Sequence, residues 1–90
     1  MRYMVIERFK DGKAGDIYRR FADKGRMMPA GLNYVDSWIS ADLKMCYQLM
    51  EAANFELFHL WTREWNDLMD FEIVPVISSA EARAAALMTG

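Results

Sequence analysis

Apolar and polar residues follow two different periods along the chain, and the changes of period divide it into strands and helices. Alternation with a period of two indicates a strand, whereas apolar residues three and four positions apart line one side of a helix. The predicted order is strand, helix, strand, strand, helix, strand, helix. The predicted strands cover residues 2–8, 33–39, 43–51 and 71–77, and the predicted helices cover 14–25, 55–68 and a segment after Ser78.

Residues with known positional preferences lie at the ends of these segments. Gly25 suits the C-terminal cap of the first helix, and Pro29 prevents the helix from continuing. Asn54 is expected to cap the second helix by accepting a backbone N–H. Ser78 and Glu81 have the spacing of a capping box ahead of the alanine-rich terminal helix.

This order of elements predicts an α+β protein. Each of the first two helices must connect two parallel strands by a right-handed crossover, which places both helices on one face of a four-stranded antiparallel sheet. Pro75 cannot donate a ladder hydrogen bond, so its strand is expected at an edge of the sheet. We therefore expect one βαββαβ domain over residues 1–78 and a C-terminal helical extension over residues 79–90.

Both faces of the predicted sheet are largely apolar, although an antiparallel sheet with one face in water should alternate cleanly. Alternation divides each strand between the two faces. The first strand has Tyr3, Val5 and Glu7 on one face and Met4, Ile6 and Arg8 on the other, and the third has Met45, Tyr47 and Leu49 on one face and Cys46, Gln48 and Met50 on the other. The fourth has Phe71, Ile73 and Pro75 on one face and Val74 and Val76 on the other. A bare apolar face of this size marks an interface, so we expect a homodimer with its two sheets packed face to face. The terminal helix could instead cover part of that face or embrace the partner.

Composition narrows the classes of partner. A chain of 90 residues forms one domain with a thin core, and its 27% of charged residues is typical of a soluble protein. The net charge of −2, without a basic stripe, argues against binding to nucleic acid. No segment approaches the roughly 20 apolar residues of a membrane span. The single cysteine, Cys46, and the lack of a signal peptide predict a cytoplasmic protein.

Three segments resemble a bacterial family of short proteins of unknown function. They are residues 1–5 (MRYMV), 49–52 (LMEA) and 65–76 (WNDLMDFEIVPV), and the resemblance spans most of residues 1–78. That family is placed in the dimeric α/β barrel (ferredoxin-like) superfamily, so the resemblance implies a ferredoxin-like fold and a homodimer. The superfamily includes cofactor-free monooxygenases, haem-degrading oxygenases, muconolactone-type isomerases, haem peroxidases and stress-responsive proteins, and fold alone does not choose among them.

The hairpin between the second and third strands provides one candidate site. A two-residue loop at Ala41-Asp42 would place six side chains on one face, with Trp38 opposite Met45, Asp36 opposite Tyr47, and Tyr34 opposite Leu49. The Tyr47 phenol could donate to the Asp36 carboxylate, and Glu7 could join this face. Such a face suits a flat or aromatic small molecule, with Glu7 or Asp36 as the base. The alternative is a satisfied polar pair in a dimer interface.

The second helix carries the remaining candidates. His59 could shuttle protons or could be structural, and Trp61 and Trp65 could stack a planar ligand or belong to the core. Haem-degrading relatives would carry an asparagine on the first strand, and on this helix a tryptophan followed by a histidine. Here Glu7 holds the strand position and His59 precedes Trp61, so we predict no cofactor.

Clusters of charged residues add two weaker candidates. Glu64, Asp67, Asp70 and Glu72 could hold a hard cation, but their spacing matches no known metal loop, and a solvated acidic rim is favoured. We therefore predict no metal. Arg19, Arg20, Lys24 and Arg26 could hold an anion or form a solvated helix face.

Two hypotheses for function remain. The first is a dimeric protein that binds a small, partly apolar or aromatic compound as a cofactor-independent oxygenase or isomerase. The second is a non-enzymatic structural or regulatory homodimerisation module. An enzyme needs an open pocket that reaches its acid or base. The catalytic candidates are Glu7, Asp36, Tyr47 and His59, and the ligand-binding candidates are Tyr34, Trp38, Trp61 and Trp65.

Overall fold

The elements follow the predicted order. The computed structural model describes residues 1–89. The strands are β1 (Arg2–Phe9), β2 (Leu32–Ile39), β3 (Met45–Ala52) and β4 (Met69–Val76), and the helices are α1 (Ala14–Lys24), α2 (Glu56–Thr62) and α3 (Ser79–Thr89). The predicted α+β class is confirmed, with a four-stranded antiparallel sheet and three helices in the described chain.

The sheet has the strand order β2-β3-β1-β4, and every neighbouring pair is antiparallel. β1 lies in the interior and pairs with β3 on one side and with β4 on the other. β4 is an edge strand, as Pro75 predicts, and Pro75 lies opposite Tyr3 of β1.

The second helix is shorter than predicted. α2 ends at Thr62, and residues 63–68 continue as turns. The backbone N–H of Trp65 donates to the Thr62 carbonyl at 3.0 Å, and that of Leu68 donates to the Trp65 carbonyl at 2.9 Å. Because these bonds keep a helix-like spacing of three residues, Trp65 and Leu68 still face the core although the regular helix has ended.

Two of the three predicted helix caps are confirmed. Gly25 follows α1 with φ of 64°, and its N–H donates to the Phe21 carbonyl. The Ser78 N–H donates to Glu81 Oε1 and the Glu81 N–H donates to Ser78 Oγ, each at 3.0 Å, which is a capping box. The predicted cap at Asn54 is wrong. Phe55 precedes the first residue of α2 already in a helical conformation, and no side chain caps this end.

The predicted hairpin loop is also wrong. The loop spans residues 40–44, because β2 ends at Ile39 and β3 begins at Met45. Leu43 adopts a positive φ of 62°, which is unusual for this residue type. Two side chains stabilise the turn: Asp42 Oδ1 accepts the Lys44 N–H at 3.0 Å, and Ser40 Oγ accepts the Met45 N–H at 2.9 Å.

The register of the hairpin differs accordingly. Trp38 lies opposite Tyr47 and Asp36 lies opposite Leu49, so the predicted pairing of Asp36 with Tyr47 is wrong. A β-bulge between Tyr34 and Asp36 shifts the pairing once more, and Tyr34 lies opposite Met50. Because of the bulge, Tyr34 shares a face with Met50, and Asp36 shares the other face with Leu49.

The hydrophobic core lies between the sheet and the helices α1 and α2. Alternate residues of the strands point toward the helices, which contribute one buried residue from α1 and an aromatic group from α2 and the turns after it. The core residues are Val5, Ile17, Leu32, Met50, Ala52, Phe58, Trp61, Trp65, Leu68 and Met69. Every helix within residues 1–89 is too short for a membrane crossing, and the longest, α1 and α3, have 11 residues each.

The opposite side of the sheet, here called the open face, is not the side on which the buried residues of the described helices α1 and α2 pack. Its side chains come from alternate positions of all four strands: Arg2, Met4, Ile6, Arg8, Asn33, Asp36, Trp38, Met45, Tyr47, Leu49, Glu51, Asp70, Glu72, Val74 and Val76. α3 does not bury its side chains against this face, since every residue over 79–88 is exposed. An ion pair of 3.2 Å between Arg2 and Glu81 joins the start of α3 to β1.

Phe58 and Phe55 allow the contribution of core packing to be measured. Phe58 is 1% exposed and Phe55 is 43% exposed, although the two rings lie three residues apart at the same helix. We expect Phe58→Ala to lower the free energy of unfolding in urea by about 3–5 kcal/mol. Phe55→Ala is the control and should lower it by roughly 1 kcal/mol or less. Equal losses would contradict the position of the core.

Candidate functional site

A cavity of about 180 Å³ lies on the helix side of the sheet. Its lining is mostly apolar and comes from β1, α1, the segment after α1, β2, β3, the α2 region and β4: Glu7, Phe9, Ile17, Tyr18, Phe21, Arg26, Ser37, Ile39, Cys46, Gln48, Trp61, Trp65 and Met69. Tyr18, Phe21 and Ile39 are exposed, so the cavity opens to solvent beside them. Benzene enters an engineered apolar cavity of about 150 Å³, so this one has room for a ligand with a single ring.

Glu7 is the buried acidic group of this cavity. Its position on β1 directs it to the helix side, where it lies opposite Cys46 of β3 and is only 7% exposed. Burial raises the pKa of Glu7 to about 7, while a hydrogen bond with Cys46 and the positive charge of Arg26 act in the opposite direction. A carboxyl group with this pKa exchanges its proton near neutral pH and can serve as an acid or a base.

Cys46 supports Glu7 as a neutral thiol. Burial, followed by the nearby charge of Glu7, raises the pKa of Cys46 to about 12. The thiol therefore keeps its proton and can donate it in a hydrogen bond to the Glu7 carboxylate. A nucleophilic role is disfavoured, because the thiolate is the reactive form.

The tryptophan side of the cavity is held by one backbone carbonyl. The oxygen of Arg26 accepts hydrogen bonds from Trp61 Nε1 at 2.9 Å and from Trp65 Nε1 at 3.0 Å. The Trp61 ring also meets Phe71 edge-on, with centroids 5.4 Å apart. Since both indole N–H groups are satisfied, the two rings form a fixed wall against which a planar ligand can pack.

The predicted site residues lie in separate parts of the structure. Glu7, Trp61 and Trp65 line the cavity together. Tyr34 lies beside them on the helix side, and its hydroxyl is 2.8 Å from Ser37 Oγ. His59 is exposed on α2, and its ring contacts that of Phe55 with centroids 5.7 Å apart.

The other three predicted residues lie on the open face. Asp36, Trp38 and Tyr47 face away from the cavity, so the predicted grouping of Glu7 with Asp36 and Tyr47 is wrong. The predicted hydrogen bond between Tyr47 and Asp36 is replaced by local ones. The Tyr47 hydroxyl donates to Met45 Sδ at 3.7 Å, and Asp36 Oδ1 accepts the Ser37 N–H at 2.8 Å.

Sequence reasoning missed several groups of the cavity. Cys46, Tyr18 and Gln48 are not among the predicted site residues, and Arg26 is predicted only as one of four basic residues that could hold an anion or form a solvated helix face. The signal lay in the strand alternation, which puts Glu7 on one face of β1 and separates Cys46 and Gln48 from Tyr47 in β3. Knowledge of the pairing between β1 and β3 would have joined these two sets.

Two members of the acidic cluster, Asp67 and Glu72, form ion pairs with separate arginines. Asp67 accepts two hydrogen bonds of 2.8 Å from the Arg20 guanidinium, which holds the pKa of Asp67 at about 2. Glu72 pairs with Arg8 at 3.0 Å. Over the described part of the chain, no group of three or more histidine, cysteine or acidic side chains is arranged to hold a metal ion.

The fold and cavity define a small α+β protein with a partly buried, mostly apolar cavity that contains an ionisable carboxyl group. The chain belongs to the family described as "Domain of unknown function (DUF3303)", whose model matches residues 1–89. This confirms the predicted membership of a family of unknown function, while the superfamily remains a prediction. Comparisons with curated proteins and with solved structures give no match.

Burial of Glu7 should make stability depend on pH. Between pH 4.5 and about 7 the unfolded chain ionises at this residue while the folded chain keeps the proton, so the free energy of unfolding falls as pH rises. The fall should total roughly 3 kcal/mol and level off above the folded pKa. We expect Glu7→Gln to remove this fall and to be more stable than the parent in urea above pH about 7.

Glu51→Gln is the matched control for this measurement, because Glu51 is an exposed glutamate of the neighbouring strand β3. It should keep the pH dependence of the parent protein. A parent profile that stays flat between pH 4.5 and about 7, or one that Glu51→Gln alters as much as Glu7→Gln, would show that Glu7 is not a buried titrating group.

Proposed function

We propose that this protein is a homodimer of the dimeric α/β barrel type that binds a small, partly apolar or aromatic compound. In this proposal it moves a proton from one position of the bound compound to another. The observation that carries this proposal is Glu7, a carboxyl group with a pKa of about 7 that lines an apolar cavity open to solvent. Glu7 takes the role of acid and base, and Trp61 and Trp65 form the packing surface for the ligand.

Isomerisation is the reaction that this site supports best. The Glu7 carboxylate removes a proton from one carbon of the ligand, and the resulting carboxylic acid returns it to another carbon. The reaction has no net change of atoms or electrons, so it needs only one group with a pKa near the working pH. A cofactor-independent oxygenase would begin with the same deprotonation but would also consume dioxygen, so we place it second.

The dimer is supported by features on the other side of the sheet. The strand order β2-β3-β1-β4, with helices at two crossovers, agrees with a ferredoxin-like fold. Trp38 and Tyr47, which lie opposite each other on the open face, are 53% and 37% exposed. Large aromatic residues left in water indicate a surface for association, and a second copy would cover it with the same residues.

A structural homodimerisation module is the second candidate. The exposed open face and the exposed length of α3 favour it, because both offer surface for association. In this alternative Asp36, Trp38 and Tyr47 are interface residues. The two functions are compatible in one molecule, since the cavity and the open face lie on opposite sides of the sheet.

Benzyl alcohol can test whether the cavity takes a ligand. Trp61 and Trp65 line the cavity whereas Trp38 does not, so Trp38→Phe makes tryptophan fluorescence specific for this site. In that background we expect benzyl alcohol to change the fluorescence saturably. Ser37→Leu should abolish the change, because a larger side chain at this lining position fills the cavity.

Asn33→Leu is the control for cavity filling, since Asn33 lies on the same strand but on the open side. It should bind benzyl alcohol as the parent does. A parent without saturable binding, or a Ser37→Leu variant that binds equally well, would reject the cavity as a ligand site.

The dimer can be tested by sedimentation at micromolar concentration. We expect a dimer for the parent and a monomer for Trp38→Glu, because a charge is costly to bury in an apolar interface. Leu60→Glu should remain dimeric, because Leu60 is exposed on α2 at the other side of the sheet. A monomeric parent, or dissociation by both variants alike, contradicts the proposed interface.

A further inference from the structure

Arg26 is a cavity residue that the proton transfer does not use. It follows α1, is partly buried, and lines the cavity together with Glu7. Its guanidinium carbon lies 3.6 Å from the centroid of the Tyr34 ring and 5.0 Å from that of Phe21. Both rings attract the cation through their faces and restrict its position.

Several other arginines have carboxylate partners, and Arg26 differs from these. Arg20 binds Asp67, Arg19 binds Asp16, and Arg8 binds Glu72. Within residues 1–89, no ion pair or hydrogen bond is formed by the guanidinium of Arg26. Aromatic rings interact with the face of a guanidinium, so its N–H donors remain available in the plane.

Arg26 holds the wall of the cavity through its backbone and not through its side chain. The carbonyl oxygen accepts the two indole N–H groups of Trp61 and Trp65. A substitution that changes only the side chain leaves this acceptor in place. The function of the guanidinium can therefore be tested separately from the wall of the cavity.

We infer that Arg26 binds a carboxylate group on the ligand while the apolar ring or chain of the ligand occupies the cavity. This inference rests on the proposed function, because it assumes that the cavity takes a ligand. A guanidinium offers two parallel N–H donors that match a carboxylate, and one that is already held between rings loses little freedom on binding. The substrate class is then a small aryl or unsaturated carboxylic acid.

Glu7 and Arg26 would have complementary tasks on such a ligand. Arg26 would fix the carboxylate end, and Glu7 would exchange a proton with a carbon near it. A carboxylate held by a cation also makes the neighbouring C–H bond easier to deprotonate, because the charge that develops is stabilised.

Benzoate and benzamide provide a test, because they have nearly the same shape and differ in charge. Binding is measured by tryptophan fluorescence in the Trp38→Phe background at about pH 5.5, well below the Glu7 pKa of about 7, where most Glu7 side chains keep their proton and benzoate is ionised. We expect benzoate to bind about tenfold more tightly than benzamide. Arg26→Met should remove this preference and leave the affinity for benzamide unchanged, whereas Arg26→Lys should retain part of it.

The outcomes separate this inference from the proposed function. Binding of benzamide without a preference for benzoate overturns the role of Arg26 and leaves the cavity as a ligand site. An equal loss of both ligands in Arg26→Met assigns the side chain a purely structural role and also overturns the inference. Failure of both probes to bind to the parent rejects the proposed function together with the inference.

Discussion

β1 is hydrogen-bonded along its length to β3 on one side and to β4 on the other, and the rest of the molecule is arranged around this constraint. A side chain of such a strand cannot change faces unless the register of both ladders shifts. Val5 and Glu7 are therefore held on the helix side, and Met4 and Ile6 on the open face. The Glu7 carboxyl is therefore held in the buried layer under the helices, which is why burial is the largest influence on its pKa.

The same constraint separates two surfaces that a sequence-based view had merged. Because Glu7, Asp36 and Tyr47 are polar residues on largely apolar strands, the sequence suggested that they form a single site. The sheet instead places Glu7 under the helices, and Asp36 and Tyr47 on the face without helices. A ligand in the cavity and a second copy on the open face would therefore never compete for the same side chains. Binding and association can be changed independently by substitution.

How far the sequence predicts this structure depends on the range of the interaction concerned. Features that depend on neighbours in the chain were predicted correctly. They are the alternation of β1 and β3, Gly25 at the end of α1, and the reciprocal cap of Ser78 and Glu81. The hairpin register failed, because it depends on a five-residue loop with Leu43 at positive φ and on a bulge before Asp36. Neither feature has a strong residue signature here, since glycine or asparagine would be usual at such a φ.

The cavity was beyond sequence reasoning for a different reason. It exists because α1, β2 and the tryptophan pair leave space between them, and packing of this kind depends on distances that no periodicity encodes. Trp61 and Trp65 could be assigned to the helix face, but not to a wall that the Arg26 carbonyl holds. Arg26 could be placed in a basic cluster able to hold an anion, but its contacts with Phe21 and Tyr34 depend on the fold of the segment after α1.

The loss of stability caused by burying Glu7 favours a ligand site over a purely structural role. Keeping this carboxylate ionised inside the protein lowers stability by roughly 3 kcal/mol, which is a large part of the 5–15 kcal/mol typical of a folded domain. The thiol of Cys46 and the charge of Arg26 lower the pKa of Glu7, but the pKa still reaches about 7. A module that only had to dimerise would be more stable with an apolar residue at this position, like Val5 two residues earlier on the same face. A buried carboxyl that destabilises the fold and borders an open cavity is accounted for if it acts on a molecule inside that cavity.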